Sequence, residues 1–416
     1  MKIIKLWLTT IAALLCSLTA SADIDYDFKV NGICYNITSE TTVSVTYNDV
    51  YYTYDALDTK YYNYYTKYSG SVVIPSTVTD NNTTYRVTSI GNSAFEDCSN
   101  LTSITIPESV TSIGDYAFYN CSSLTAVHIK DIASWCNIDF GDGYSNPLRY
   151  AKNLYLNGEL VTELTIPNTV TAIKYGAFYN YSNLTSITIP ENSQLTSIGS
   201  YAFKGCSSLT SITIPESVTR FGSYAFCDCS SLTSIDIPDG VDWIGEGAFW
   251  RCSSLTTINI PDGVAWIMDY AFQNCYSLRS ITLPASVSYI GDYAFDWCYN
   301  LTTINIPERV TRVELGAFRQ CSSLKSITLP ASVEYLDDMA FARSGLKEIT
   351  SLATEAPRLG IAVFDGLNDV KINHLTGSNF STWKAALAPK ADVNGDGEVD
   401  VADITAVIKT IKEREQ

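Results

Sequence analysis

The feature that most constrains this chain is a repeat. The pair Ala-Phe recurs at Ala202-Phe203, Ala225-Phe226, Ala248-Phe249, Ala271-Phe272, Ala294-Phe295, Ala317-Phe318 and Ala340-Phe341, 23 residues apart each time. The same step separates Ala94-Phe95 from Ala117-Phe118. A gap of 60 then leads to Ala177-Phe178, and one of 25 to Ala202. Self-similarity at a period of roughly 20–50 residues marks a solenoid, in which each unit buries its apolar face only against its neighbours. Such a chain escapes the size limit of a single globular core, so its 416 residues need not divide into several globular domains.

Each unit reads as a strand followed by turns. In Leu101-Thr102-Ser103-Ile104-Thr105-Ile106-Pro107, Ile104 and Ile106 alternate with outward Ser103 and Thr105, and Pro107 ends the strand because it has no ladder donor. Val110 and Ile113 suit a second short extended piece. Asp115 to Cys121 then turns Ala117, Phe118 and Cys121 inward through a helical turn. Stacked units place their strands in register in a parallel sheet, about 4.8 Å apart.

Several stretches depart from the period. Lys2 and Lys5, the apolar run Leu6 to Leu18 and the small residues Ala20-Ser21-Ala22 read as an export signal over 1–22, with a lipoprotein signal at Cys16 as the alternative. Residues 23–84 read as a β-rich cap crowded with tyrosine; exposed tyrosines there would also suit recognition. Within the array at 85–350, residues 131–160 read as an elaborated repeat, and Asn157-Gly158 predicts a tight hairpin turn. Residues 351–388, with Phe364 and Trp383, read as a C-terminal cap, and 389–416 as a separate segment.

The consensus L-x-x-I-x-I-P-x-x-V-x-x-I-G-x-x-A-F-x-x-C-x-x, running from about Tyr85 to Ile349, resembles the BspA-type leucine-rich repeats of bacterial surface and secreted proteins. The insertion, with Trp135-Cys136 and Leu154 to Glu159, resembles an elaboration in the same family. The resemblance implies a curved solenoid used for binding, with adhesion to host proteins or other cells as the usual role. The expected fold is an α/β solenoid, a leucine-rich repeat array with a parallel β-sheet face, short helical turns and a mostly extended convex side, capped at both ends.

Eight of the twelve cysteines (Cys98, Cys121, Cys206, Cys229, Cys252, Cys275, Cys298 and Cys321) occupy one position, three residues after the Phe. In a stacked array their Cβ vectors run parallel, which disfavours disulfides, so buried thiols are expected. Tyr181 and Ser344 hold the same rung; Cys34, Cys136 and Cys227 lie off it. The two histidines, His128 and His374, have no Ser, Cys or carboxylate neighbour patterned for catalysis, and no enzyme is expected. Net charge is −17, or −19 once Lys2 and Lys5 are removed with the signal, and no basic cluster offsets it, which argues against nucleic acid as a ligand.

Two features point to binding. At the C-terminus, Asp392, Asn394, Asp396, Asp400 and Asp403 fall at positions one, three, five, nine and twelve of a loop. Gly397 stands at the sharp turn, and Glu398 can offer its carbonyl at position seven. That oxygen set suits calcium. Ile404 to Ile411 supplies a short apolar-faced helix after the loop. The segment resembles one half of a type I dockerin, which implies a cohesin-like partner, although a full dockerin has two such halves.

The second feature is a stripe of residues just before the second extended apolar position: Arg220, Trp243, Trp266, Tyr289, Arg312 and Tyr335, each 23 from the last. Arginine and aromatics are enriched in binding hot spots, and such a row either captures a ligand or packs on itself. Trp250, Arg251, Trp297 and Arg319 add large side chains nearby. A hydroxyl-rich strip, from Ser186/Thr188 to Ser326/Thr328, suits strands as such. The expected function is a secreted or cell-surface, non-enzymatic protein that binds protein or cell-surface glycoconjugate ligands. Alternatives are a component of an extracellular scaffolded complex and a glycan-active accessory protein.

Overall fold

A computed structural model describes residues 26–47, 50–55, 60–65, 67–374 and 379–387. The stretch 1–22 read as an export signal and the loop Asp392 to Asp403 read as a calcium site lie outside the described residues. The chain forms two compact units: 1–134 with 138–158, and 135–137 with 159–416. Each is a parallel-strand β-solenoid with few helices.

In the first unit, Phe28–Val30, Ile33–Ile37 and Thr42–Thr46 pair antiparallel. Thr42–Thr46 then accepts Thr83–Ile90 in parallel, and that strand continues to Ser112–Ile113 and Asp139–Phe140. The non-repeating residues therefore start the sheet and cover its open end. Tyr68 closes the core beneath them. Its ring lies 4.7 Å from that of Phe95, and its hydroxyl accepts from Cys34 N–H and donates to the Thr46 carbonyl. A second parallel sheet runs Gly70–Val73, Leu101–Thr105, Ala126–Ile129 and Leu154–Leu156. Asn157 and Gly158 both take positive φ, 52° and 92°, as a tight primed turn requires.

In the second unit the 23-residue period becomes a stack of turns. The strands Glu163–Thr165, Ser186–Thr188, Ser211–Ile212, Ser234–Asp236 and Thr257–Asn259 pair parallel without slippage. Ile187, Ile212, Ile235 and Ile258 point in, and the hydroxyl strip points out. The Ala-Phe pair forms a ladder of its own. Phe203, Phe226, Phe249, Phe272, Phe295 and Phe318 each donate N–H to the Ala carbonyl of the next turn at 2.8–2.9 Å. Their rings stack nearly parallel, with centroids 5.3–5.8 Å apart from Phe203 to Phe318. Alanine is needed beside them because that backbone approaches its neighbour with no room for a larger side chain; Ala225, Ala271, Ala294 and Ala317 are fully buried.

The helical turn expected around this pair is a run of i→i−3 turns, such as Ala248 N–H to Gly245 O and Trp250 N–H to Gly247 O. A continuous helix is blocked because two residues per repeat stand in the left-handed region, among them Tyr201 and Gly205, Tyr224 and Asp228, Gly247 and Arg251.

The ladder cysteines are buried thiols, none in a disulfide. Seven of them also donate S–H to the carbonyl of a Phe in the preceding turn, from Cys121 to Phe95 and from Cys206 to Phe178 through Cys321 to Phe295, at 3.1–3.3 Å. Burial raises their thiol pKa values, which disfavours the reactive thiolate. Beyond Phe341 the column ends in Phe364, 6.4 Å away, and Trp383 on the helix Ser381–Leu387. Trp383 is fully buried and its Nε1 donates to Pro357 O at 2.9 Å.

Candidate binding surface

The predicted stripe lies on the second short strand of each turn in the second unit. Arg220 pairs with Ser197; Trp243, Trp266 and Tyr289 pair directly with one another; Arg312 pairs with Tyr335. In every case the following residue (Phe221, Ile244, Ile267, Ile290, Val313, Leu336) is buried, so strand alternation turns the stripe residue outward. Trp266 is 44% exposed and Trp243 and Tyr289 are half-buried. Arg358, 23 residues beyond Tyr335, extends the register by one more turn. Counting the period onward would have found it.

A self-packed column would stack its rings, as the Phe column does. Among the described residues no ring contact joins Trp243, Trp266 and Tyr289. Their faces are therefore not consumed by one another. Met268, 36% exposed, replaces the glycine found at this place in neighbouring turns and adds apolar area beside Trp266.

A row of acids, which sequence reasoning missed, runs three residues after the aromatic positions: Glu246, Asp269 and Asp292. Their spacing of 23 was the available signal. Each anchors a neighbour through one oxygen. Asp269 Oδ1 accepts Asp292 N–H at 2.9 Å and the Tyr289 hydroxyl at 3.1 Å; Asp292 Oδ1 accepts Leu315 N–H; Glu246 Oε1 accepts the Tyr224 hydroxyl at 2.6 Å. Burial, then the charge of Asp269, raises the Tyr289 phenol, and the same two causes raise the Asp292 carboxyl. Farther along, Arg312 is held by Glu314 and Asp337, with its guanidinium 4.5 Å from the Tyr335 ring centroid.

The other large side chains belong to a separate corner row. Tyr201 stacks on Tyr224 at 5.1 Å and Tyr270 on Tyr293 at 5.6 Å. A Cβ at Gly247 would stand 2.3 Å from Tyr224 Cε1, and one at Gly316 would stand 2.5 Å from Tyr293 Cε1. At these two turns the tyrosine ring of the preceding turn occupies the space a side chain would take, whereas Tyr224 and Tyr293 meet their neighbours by stacking. Trp250 meets Tyr224 edge-on, and Lys204 lies over both and over Tyr201. Arg319 is tied to the buried Asp296. Cys227, next to Asp228, has its thiol pushed up to about 12 by burial and then by that carboxylate. His128 stacks on Tyr155 in the first unit and His374 on Phe380 in the second, both ring-packed.

The family described as "BspA type Leucine rich repeat region" matches residues 62–139, 151–276 and 243–371, with six copies. Those matches stop short of residues 392–403. Among solved structures, the chain is similar to a leucine-rich repeat protein of Bacteroides ovatus, at 29% identity over 85% of this chain and 79% of that one, with a TM-score of 0.52. It is also similar to a leucine-rich cell surface protein of Faecalibacterium prausnitzii, at 26% identity over 88% and 98%, with a TM-score of 0.55. The pneumococcal vaccine antigen PcpA shares the fold at 20% identity over 90% and 91%, with a TM-score of 0.52. No protein with a curated description matches.

Proposed function

The chain belongs to the BspA-type leucine-rich repeat family, and from that premise we propose that it is a non-enzymatic interaction protein of the cell exterior that binds a protein partner through the stripe Arg220, Trp243, Trp266, Tyr289, Arg312 and Tyr335. The observation that carries this reading is the outward register of Trp243, Trp266 and Tyr289 on adjacent strands, with no ring contact between them. Pre-organised aromatics lose little conformational freedom on binding and dominate interface energetics. An exterior location is supported by the leucine-rich cell surface relative and by the export signal read at 1–22. No described helix is long and apolar enough to cross a membrane.

The test is a binding screen of the chain against extracellular-matrix proteins, repeated with a Trp243→Ser/Trp266→Ser variant. Capture of the partner should fall by about a hundredfold, since two hot-spot aromatics are worth roughly 1–2 kcal/mol each or more. The melting transition should stay put, because neither ring packs on another. Unchanged capture, or loss of folding, would remove the stripe from the function.

Calcium binding by Asp392, Asn394, Asp396, Glu398, Asp400 and Asp403 belongs to the same reading as a second, independent site. Calorimetry of the full chain should register calcium binding that Asp392→Ala abolishes. No calcium heat in the unaltered chain would refute it.

A further inference from the structure

The chain makes one contact with itself that describes the partner it is built for. Arg312 stands on the stripe, and its guanidinium lies over the ring of Tyr335, the stripe residue one turn on. Its Nε donates to Glu314 Oε2 at 2.9 Å, and Nη2 donates to the Asp337 carboxylate. A planar cation is thus laid on an aromatic face and held at its edge by carboxylates from two successive turns. Guanidinium suits this arrangement because it stacks and forks, where an ammonium is a compact, strongly hydrated point charge.

Earlier turns of the stripe also carry rings and carboxylates, with the acids one place farther along: three residues after the ring, where Glu314 and Asp337 stand two residues after Arg312 and Tyr335. Trp243, Trp266 and Tyr289 supply the rings, and Glu246, Asp269 and Asp292 supply the carboxylates. The Tyr289 hydroxyl reaches Asp269 Oδ1, so at that turn the ring and the acid are immediate neighbours. In each acid one oxygen is engaged internally; the other, Glu246 Oε2, Asp269 Oδ2 or Asp292 Oδ2, accepts no hydrogen bond from the described residues. Nor does any described lysine or arginine form an ion pair with these three. Burial first, and then the charge of Asp269, raises the Asp292 carboxyl, with Arg312 acting the other way; a further cation beside the row favours its charged form.

Resting on the reading that this stripe binds a protein, we infer that the partner presents an arginine-rich, extended polypeptide segment. Its guanidinium groups lie on Trp243, Trp266 and Tyr289 and donate to Glu246, Asp269 and Asp292, the same pairing of ring and carboxylate that Arg312 makes in a neighbouring register. Acidic glycans are repelled by the same row, and a neutral glycan would use the rings while ignoring the charges.

The test uses the full chain and a fluorescent alternating Gly-Arg peptide, read by anisotropy at about 0.15 M salt, where charges farther apart than about 8 Å are screened. Gly-Lys and Gly-Glu peptides and a neutral oligosaccharide serve as comparisons. The variant Glu246→Gln/Asp269→Asn/Asp292→Asn keeps the backbone caps, since Asn92 already performs that job, accepting Asp115 N–H at 3.0 Å. A control, Glu108→Gln/Glu163→Gln/Asp236→Asn, removes the same charge from exposed positions away from the stripe.

The expected result is saturable binding in the order Gly-Arg, Gly-Lys, Gly-Glu, weakened at least about tenfold by the stripe variant and little changed by the control. Equal losses in both variants, or no Gly-Arg binding at all, would overturn the inference. So would oligosaccharide binding that Trp243→Ser/Trp266→Ser abolishes and the charge variant leaves intact. If the triple variant melts early, Asp269→Asn alone decides the matter by the same criterion. Capture of a matrix protein that needs Trp243 and Trp266 but not the three acids would leave the stripe's binding role standing while this partner class falls.

Discussion

Phe249→Ala should destabilise the second unit by about 3–5 kcal/mol, read as the shift of a urea or thermal unfolding midpoint. Phe249 is 1% exposed, and its ring lies between those of Phe226 at 5.8 Å and Phe272 at 5.5 Å. Truncation removes apolar contact on both sides and leaves a void in a column whose spacing is set by backbone bonds above and below. Those bonds, Phe226 N–H to Ala248 O and Phe249 N–H to Ala271 O, hold the turns apart and prevent collapse into the gap. Each turn of a solenoid contacts only its neighbours, so no distant element can compensate. Phe249→Leu, which keeps most of the volume, should cost less than half as much. A loss under about 1 kcal/mol for the alanine variant would mean that the column is not what holds the turns together.

The second large effect concerns a buried charge. Asp296 has a side chain 1% exposed, and Arg319 binds it with two parallel hydrogen bonds, Nε to Oδ1 at 2.9 Å and Nη2 to Oδ2 at 2.8 Å. Gln273 Nε2 adds a third at 2.9 Å. Arg319→Met removes the counter-charge and leaves a carboxylate out of water with one neutral donor, which should cost about 3 kcal/mol. The double variant Arg319→Met/Asp296→Asn should recover much of that, because no charge is then stranded. If the double variant is as unstable as the sum of its parts, the pair matters through packing and not through charge.

How far these features were legible follows from what repetition can encode. The inward Ile of each strand, the buried Ala-Phe pair, the capping Trp383 and the thiol character of the Cys rung were all readable, because burial at a fixed step leaves the same residue type in each copy. The outward direction of Arg220, Trp243 and Tyr289 followed from alternation with a buried neighbour. Two matters were not readable. The S–H donation from Cys252 to Phe226 O depends on where a carbonyl points, and spacing holds no record of that. The separation of Trp250 and Arg319 from the stripe depends on the left-handed residues that turn the chain between them, and tyrosine, methionine and tryptophan fill those places as well as glycine does.

By itself the sequence determined a parallel solenoid with a 23-residue turn, an apolar Phe-lined interior, ends covered by non-repeating residues and one outward row that varies. Period and polarity alone fix which residues face in, since every turn must bury the same positions against its neighbour. Only the tertiary structure decided what the outward row could be used for. It set Trp243, Trp266 and Tyr289 side by side with no ring contact between them, put Asp269 against the Tyr289 hydroxyl, and laid Arg312 on the Tyr335 ring between Glu314 and Asp337. Ring orientation and the unused oxygen of each acid arise from side chains meeting across turns, and a sequence read one turn at a time does not contain that distance.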